Sequence, residues 1–280
     1  MNALELINIG SLLLKKKNIS SHTLDSEILL SNTLKKTREE LLINLNQKIN
    51  EKNILKFRSY LNRRLKNEPI AYILEEKEFW SKKFKVNKDT LIPRPETEIL
   101  VDKLITIFMG KKLSILDIGT GSGCIIISLL NSLIKSKGIG IDVCKKAIIT
   151  AKKNSNNFNL QNRLKFFNKS FTKMFNQKFD LIVSNPPYIM RKDLKNLSDD
   201  IKRYEPRIAL DGGNDGLDLI KKVIYKSRQI LKIKGTLALE IGNEQIKKVS
   251  KILLGNKFRI KNVIKDYKNN VRSIIAYLKQ

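Results

Sequence analysis

Histidine and tryptophan occur once each in the 280 residues, cysteine twice and proline six times. One histidine (His22, read as a surface or cap residue) and no His/Cys/Asp cluster at ligand spacing give no reason to expect a metal. Cys124 and Cys144 are too few for a disulfide framework and fall in stretches expected to be core. They read as small apolar residues of a reduced, cytoplasmic protein. No apolar run approaches the ~20 residues a membrane span requires. Residues 1–14 lack a basic region ahead of an apolar one, so a secretory leader is not expected.

Acidic residues are also scarce, 27 against 55 Lys and Arg, for a formal net charge of +28. Such a charge invites a nucleic-acid reading. Lysine, however, outnumbers arginine 43 to 12, whereas base and phosphate readers lean on the bidentate Arg fork. The lysines run along the whole chain beside abundant Asn and Ile. This looks like the bias of an A+T-rich coding system, so no specific nucleic-acid partner is expected; weak attraction to RNA-rich partners stays open.

What is present suits an ordinary globular protein, with 41% hydrophobic and 29% charged residues and length for one large domain plus a small one. Residues 1–70 read as a helical bundle. Leu4, Leu6, Ile7, Leu12 and Leu13 suit a first helix. Ser20 or Ser21 can cap a second, and Thr37 with Glu40 forms a capping box for a third. A longer helix over 51–66 is ended by Pro69. Residues 71–89 alternate in hydrophobicity (Ile70, Tyr72, Leu74, then Phe79, Phe84, Val86) and read as a hairpin or connector, with Phe79 and Trp80 in its core.

From residue 90 strands and helices alternate. Pro95 suits the first position of a helix over 95–109. Strands are expected at 113–118, 138–141, 164–167, 179–183 and 235–241, with helices near 124–134, 217–231 and 244–254. Two closing strands near 258–264 and 271–277, with no helix between them, read as an antiparallel edge hairpin. The fold class is therefore α/β: a doubly wound, mostly parallel sheet.

Two segments carry chemistry. The apolar strand ending at Ile118 runs into Gly119, Thr120, Gly121, Ser122 and Gly123, where glycine permits a tight turn and close approach of a ligand to the backbone. No Gly-Lys-Ser/Thr follows, so this is not a phosphate loop. Asp142 ends the next strand, where a carboxylate can accept both ribose hydroxyls. The bland alternative is an ordinary strand–helix turn with a surface Asp. The second segment, Asn185-Pro186-Pro187-Tyr188, follows a buried strand. Prolines stiffen it and lack competing amide donors. The Asn185 side-chain oxygen and the Pro186 carbonyl can each accept one hydrogen of an NH2 group, and the Tyr188 ring can lie against it. Accepting both hydrogens draws the nitrogen lone pair out of conjugation. The bland reading is a stiff turn.

Residues 90–280 resemble the class I S-adenosylmethionine-dependent methyltransferases, and Asn185–Tyr188 resembles their amino-methylating branch. Three further segments are similar to the peptide chain release factor glutamine methyltransferases: residues 90–98 (Thr-Leu-Ile-Pro-Arg-Pro-Glu-Thr-Glu), residues 204–218 from Tyr-Glu-Pro to Asp-Gly-Leu-Asp, and Leu239-Glu240-Ile241-Gly242 with Gln245. The short helical N-terminal region matches as well. The resemblance implies a seven-stranded sheet, S-adenosylmethionine as cofactor, and methyl transfer to the side-chain amide of the glutamine in a Gly-Gly-Gln loop of a release factor, by a monomer whose helical domain meets the partner. It also implies that Gly119–Gly123, Asp142, Asn185 and an aromatic residue hold the cofactor, and that Asn185, Pro186, Pro187 and Tyr188 clasp the glutamine. Near the adenine pocket the family shows an acidic residue followed by an aromatic one. Here the stretch is Asn168-Lys169-Ser170-Phe171, so either Ser170 or, after a one-residue slip, Phe171 takes that place. Arg94 and Glu96 either frame the cofactor entrance or pair with each other. Rival readings are a ribosomal-protein glutamine methylase, a nucleic-acid amino methylase and a non-catalytic binding module.

Overall fold

The computed structural model describes residues 1–172 and 177–279, which fall into two compact units. The smaller comprises Met1–Glu75 and Ser198–Tyr204; the larger comprises Glu76–Leu197 and Glu205–Gln280.

The small unit is helical: α1 (Ala3–Lys16), α2 (His22–Leu34), α3 (Arg38–Ile43), α4 (Glu51–Arg64), the single turn α5 (Ile70–Ile73) and, from far along the chain, α9 (Asp199–Tyr204). Capping follows local chemistry. Asn2 with Glu5 and Thr37 with Glu40 form reciprocal capping boxes, and the Asn50 side chain accepts from Asn53 N. Ser21 occupies the cap position of α2 but makes no side-chain cap bond, its backbone (φ −84°, ψ 20°) lying outside the extended region a capping hydroxyl needs. Leu6, Leu14, Leu29, Leu30, Leu41, Phe57 and Leu61 form the core. Of the apolar residues read into the first helix, Leu6 and Ile7 are buried whereas Leu4, Leu12 and Leu13 are exposed. Residues 70–74 are helical instead of strand-like, since their apolar side chains meet the helical core rather than a sheet face. The hairpin itself is shorter, β1 (Glu76–Phe79) paired antiparallel with β2 (Lys82–Lys85).

The large unit is built on seven strands: β3 (Ser114–Ile118), β4 (Lys137–Asp142), β5 (Leu164–Asn168), β6 (Phe179–Ser184), β7 (Leu231–Glu240), β8 (Phe258–Lys265) and β9 (Val271–Leu278). Their spatial order is β5-β4-β3-β6-β7-β9-β8, parallel through β7, with β9 antiparallel to both neighbours. Successive strand residues feed opposite cores. Ile115, Leu181, Val183, Ala238 and Ile275 pack under α6 (Pro95–Phe108), α7 (Cys124–Ser132) and α8 (Lys145–Asn157). Leu116, Ile182, Leu237, Leu239 and Ile274 pack under α10 (Asp218–Ile230) and α11 (Ile246–Gly255). Both faces are covered, which is why these strands read as nearly continuous apolar runs. Among the described residues no helix is long and apolar enough to cross a membrane.

The strand order has a direct consequence. The chain leaves β3 toward β4 and β5, then returns to β6 on the other side of β3. The carboxyl ends of β3 and β6 therefore flank the crevice at which the winding reverses, where open α/β sheets bind ligands.

Candidate active site

At the carboxyl ends of β3, β4 and β6 lies a cavity of about 660 Å³. The β3 end supplies the glycine turn. Gly119 and Thr120 both donate their backbone N–H to the Ile141 carbonyl, at 2.9 and 3.0 Å, tying the turn to β4. Gly119, Gly121 and Gly123 have left-handed backbones (φ 73°, 55° and 81°), which only glycine adopts without cost. Gly119 and Gly121 line the cavity, and a Cβ on either would meet nothing within 4 Å. A bare backbone thus faces open space. Gly123 differs: it is not among the lining residues, and its added Cβ would meet Ile127 at 3.0 Å and Phe166 at 3.3 Å. Side chains of α7, α8 and β5 close over its Cα.

Asp142 ends β4 with each carboxylate oxygen on a backbone amide, Oδ2 accepting from Gly121 N at 3.0 Å and Oδ1 from Cys144 N at 2.8 Å. Burial raises its pKa, with the Cys144 and Gly121 amides opposing. Each oxygen retains a lone pair beyond its amide bond, and Asp142 lines the cavity. Behind it Asp117 is fully buried, accepts the Thr120 hydroxyl at 2.7 Å and is pushed up to about 7, chiefly by burial and further by the Asp142 charge. Cys144, expected in the core, is half-buried on the cavity wall, because it stands at the start of α8 rather than within an element. Ser170 and Phe171 both line the cavity. Ser170 Oγ is paired with Thr172 Oγ1 at 2.8 Å, while the partly buried Phe171 packs against the apolar core.

The β6 end supplies Asn185, Pro186 and Pro187, all on the cavity wall. Tyr188 is not on that wall. It is half-buried, and its hydroxyl donates to Glu240 Oε1 at 3.2 Å; burial and the Glu240 charge raise its pKa. The loop is braced from behind. Ile189 N donates to the Leu210 carbonyl, Gly212 N to the Ile189 carbonyl and Arg191 N to the Gly213 carbonyl. Gln245 Nε2 donates to the carbonyls of Tyr188 (3.0 Å) and Gly216 (3.1 Å). At Gly212 a Cβ would lie 2.8 Å from Tyr188 Cα, so this contact admits glycine alone.

Arg94 lines the cavity and pairs with Glu205 at 2.5 Å, not with Glu96; Glu205 also accepts from Ile92 N. The buried Glu205 carboxylate takes the guanidinium instead. Thr97, Glu205 and Glu240 had no site role assigned from sequence. The available signal was a carboxylate ending an otherwise apolar strand, as Glu240 does.

The apolar walls (Ile118, Ile141, Phe171), the bare glycine backbone and a carboxylate with spare lone pairs fit a nucleoside-bearing cation such as S-adenosylmethionine.

The PrmC N-terminal domain family matches residues 5–74, and the methyltransferase small domain family matches residues 95–202. The chain is 41% identical over 281 residues to the bifunctional methyltransferase of Rickettsia prowazekii, covering 93% of this chain but spanning 54% of that protein, about half its length. It is 40% identical over 280 residues to the release factor glutamine methyltransferase of Fusobacterium nucleatum (98% of this chain, 78% of that one). It is 38% identical to the release factor glutamine methyltransferase of Clostridium acetobutylicum, with 94% of each covered. The solved ribosomal protein L11 methylase of Lactobacillus delbrueckii shares the fold, with a TM-score of 0.53 at 18% identity over 73% of this chain and 90% of that one. On the extent of these matches, the chain belongs to the release factor glutamine methyltransferase family.

Proposed function

We propose that this protein transfers the methyl group of S-adenosylmethionine to the side-chain amide nitrogen of the glutamine in a Gly-Gly-Gln loop of peptide chain release factors. The observation that carries this reading is that Asn185 and Pro186, two acceptors on a stiff loop, share one cavity wall with Asp142 and the glycine turn. Asp142 and residues 119–122 would hold the cofactor's ribose and amino-acid portion. Phe171 would lie against its adenine, Ser170 being the alternative. Gly123 would support the turn from the core side.

When bound, the cofactor supplies an electrophilic methyl carbon, to which the amide nitrogen bonds while the C–S bond breaks with its electron pair going to sulfur and the surplus proton passes to water. The chain's own work is orientation. Asn185 Oδ1 accepts one amide hydrogen and the Pro186 carbonyl the other, which localises the nitrogen lone pair. Pro187 stiffens the strand end, and Tyr188, its hydroxyl held by Glu240, anchors the far end of the loop. No strong base is needed, and positioning supplies several kcal/mol. The helical unit would meet the release factor, and the cytoplasm is the matching compartment.

Asn185→Ala tests this. It removes one acceptor while leaving both prolines and the glycine turn, so turnover should fall at least ~100-fold, the scale for one aligned transition-state hydrogen bond, while cofactor affinity, to which Asn185 also contributes, should fall much less. Methylation of a release factor by Asn185→Ala at the parental rate would show the loop to be a turn only.

A further inference from the structure

Glu240 ends β7 deep in the large unit, only 1% exposed, with both carboxylate oxygens engaged. Oε2 accepts the Thr97 hydroxyl at 2.5 Å and Oε1 accepts the Tyr188 hydroxyl at 3.2 Å. Thr97, in the first turn of α6, is itself buried and lines the cavity. A hydroxyl has one hydrogen. With Glu240 ionised and that hydrogen given to it, Thr97 Oγ1 can only accept, and Asn185 Nδ2 stands 3.5 Å away as the donor. The bonds therefore run in one direction, from the Asn185 NH2 to Thr97 and from the Thr97 hydroxyl to the Glu240 carboxylate.

That direction decides which edge of the Asn185 amide is left for the cavity. With Nδ2 held by Thr97, Oδ1 is the free edge. An Asn185 turned the other way would present hydrogens to a substrate amide that also brings hydrogens, and no bond could form.

We propose that Glu240, acting through Thr97, is a positioning residue that fixes the amide orientation of Asn185 and, through its second oxygen, holds Tyr188. One buried carboxylate thus sets both ends of the Asn-Pro-Pro-Tyr segment from the end of the neighbouring strand. The assignment rests on the reading of Asn185 as acceptor of the substrate amide.

The test is steady-state kinetics on the full chain with a release factor, well above pH 7, where the Glu240 carboxyl is ionised. Thr97→Val removes the hydroxyl link and should lower kcat at least ~10-fold with KM and S-adenosylmethionine affinity within ~2-fold, the pattern of an interaction made in the transition state. Thr97→Ser keeps the link and should restore kcat to within ~2-fold of the parent. Glu240→Gln can turn an NH2 toward Thr97 and reverse the bonds, so it too should lose kcat, and it stands in if Thr97→Val does not fold. In an Asn185→Ala background Thr97→Val should cost nothing further, because residues acting as a unit are not additive. Parental kcat in folded Thr97→Val, or a full additional loss on top of Asn185→Ala, overturns the proposal. If Asn185→Ala lowers kcat and Thr97→Val does not, only the positioning role fails; if Asn185→Ala itself keeps the parental kcat, the acceptor reading fails.

Discussion

Asp142 joins two chain segments with one carboxylate, bonding the amides of Gly121 and Cys144 while facing the cavity. Its removal should weaken S-adenosylmethionine binding by about 1–3 kcal/mol, the range for leaving buried polar partners unsatisfied. Calorimetry on folded Asp142→Ala checks this, and unchanged affinity would remove Asp142 from the cofactor site. Glu240 makes a different prediction, because burial pushes its carboxyl up to about 7, Glu96 adding to the rise while the Thr97 and Tyr188 hydroxyls and the Arg272 charge oppose it. A carboxyl with a raised folded-state pKa keeps a proton that the unfolded chain gives up. Its contribution to stability is fully present below the ordinary value of 4.5 and is lost as pH rises through about 7. The thermal midpoint of the parent minus that of Glu240→Gln should therefore fall between those limits and stay flat above them. Asp117 shifts the same way but is common to both proteins and cancels. A midpoint difference independent of pH across that window would contradict the assigned burial of the Glu240 charge.

At the scale of elements, what could be read in the sequence was what the sequence decides locally. The Thr37/Glu40 capping box, Pro95 opening α6 and the closing antiparallel pair β8 and β9 stand where short-range chemistry puts them. The apolar runs of β3, β6 and β7 were visible because both sheet faces are buried. Residues 119–122 and 185–187, which line the cavity, stood out because each is a contiguous segment at a strand end, whereas Gly123 and Tyr188 of the same two segments do not line it. Contacts that join distant segments were not legible. Thr97 meets Glu240 across 143 positions and Glu205 meets Arg94 across 111, so no spacing rule reveals them. Residues 70–73 show the opposite failure, in which an alternating pattern yielded to tertiary packing and became a helical turn.

For the molecule as a whole, three crossings of the chain between its units give the helical unit a segment, Ser198–Tyr204, that departs from and returns to the unit bearing the cavity. Within the helical unit the Tyr204 hydroxyl donates to the Lys66 carbonyl at 2.9 Å. The next residue, Glu205, carries the ion pair with Arg94 on the cavity wall. The central claim is the identity of the methylated atom. It is tested most directly by incubating the protein with methyl-labelled S-adenosylmethionine and a mixture of purified release factors, ribosomal proteins and nucleic acid, then locating the label by mass spectrometry of the fragments. The account predicts one methyl group on the side-chain amide of the glutamine in the Gly-Gly-Gln peptide of a release factor; label confined to a ribosomal protein or to a nucleobase, with that peptide unmodified, would contradict it.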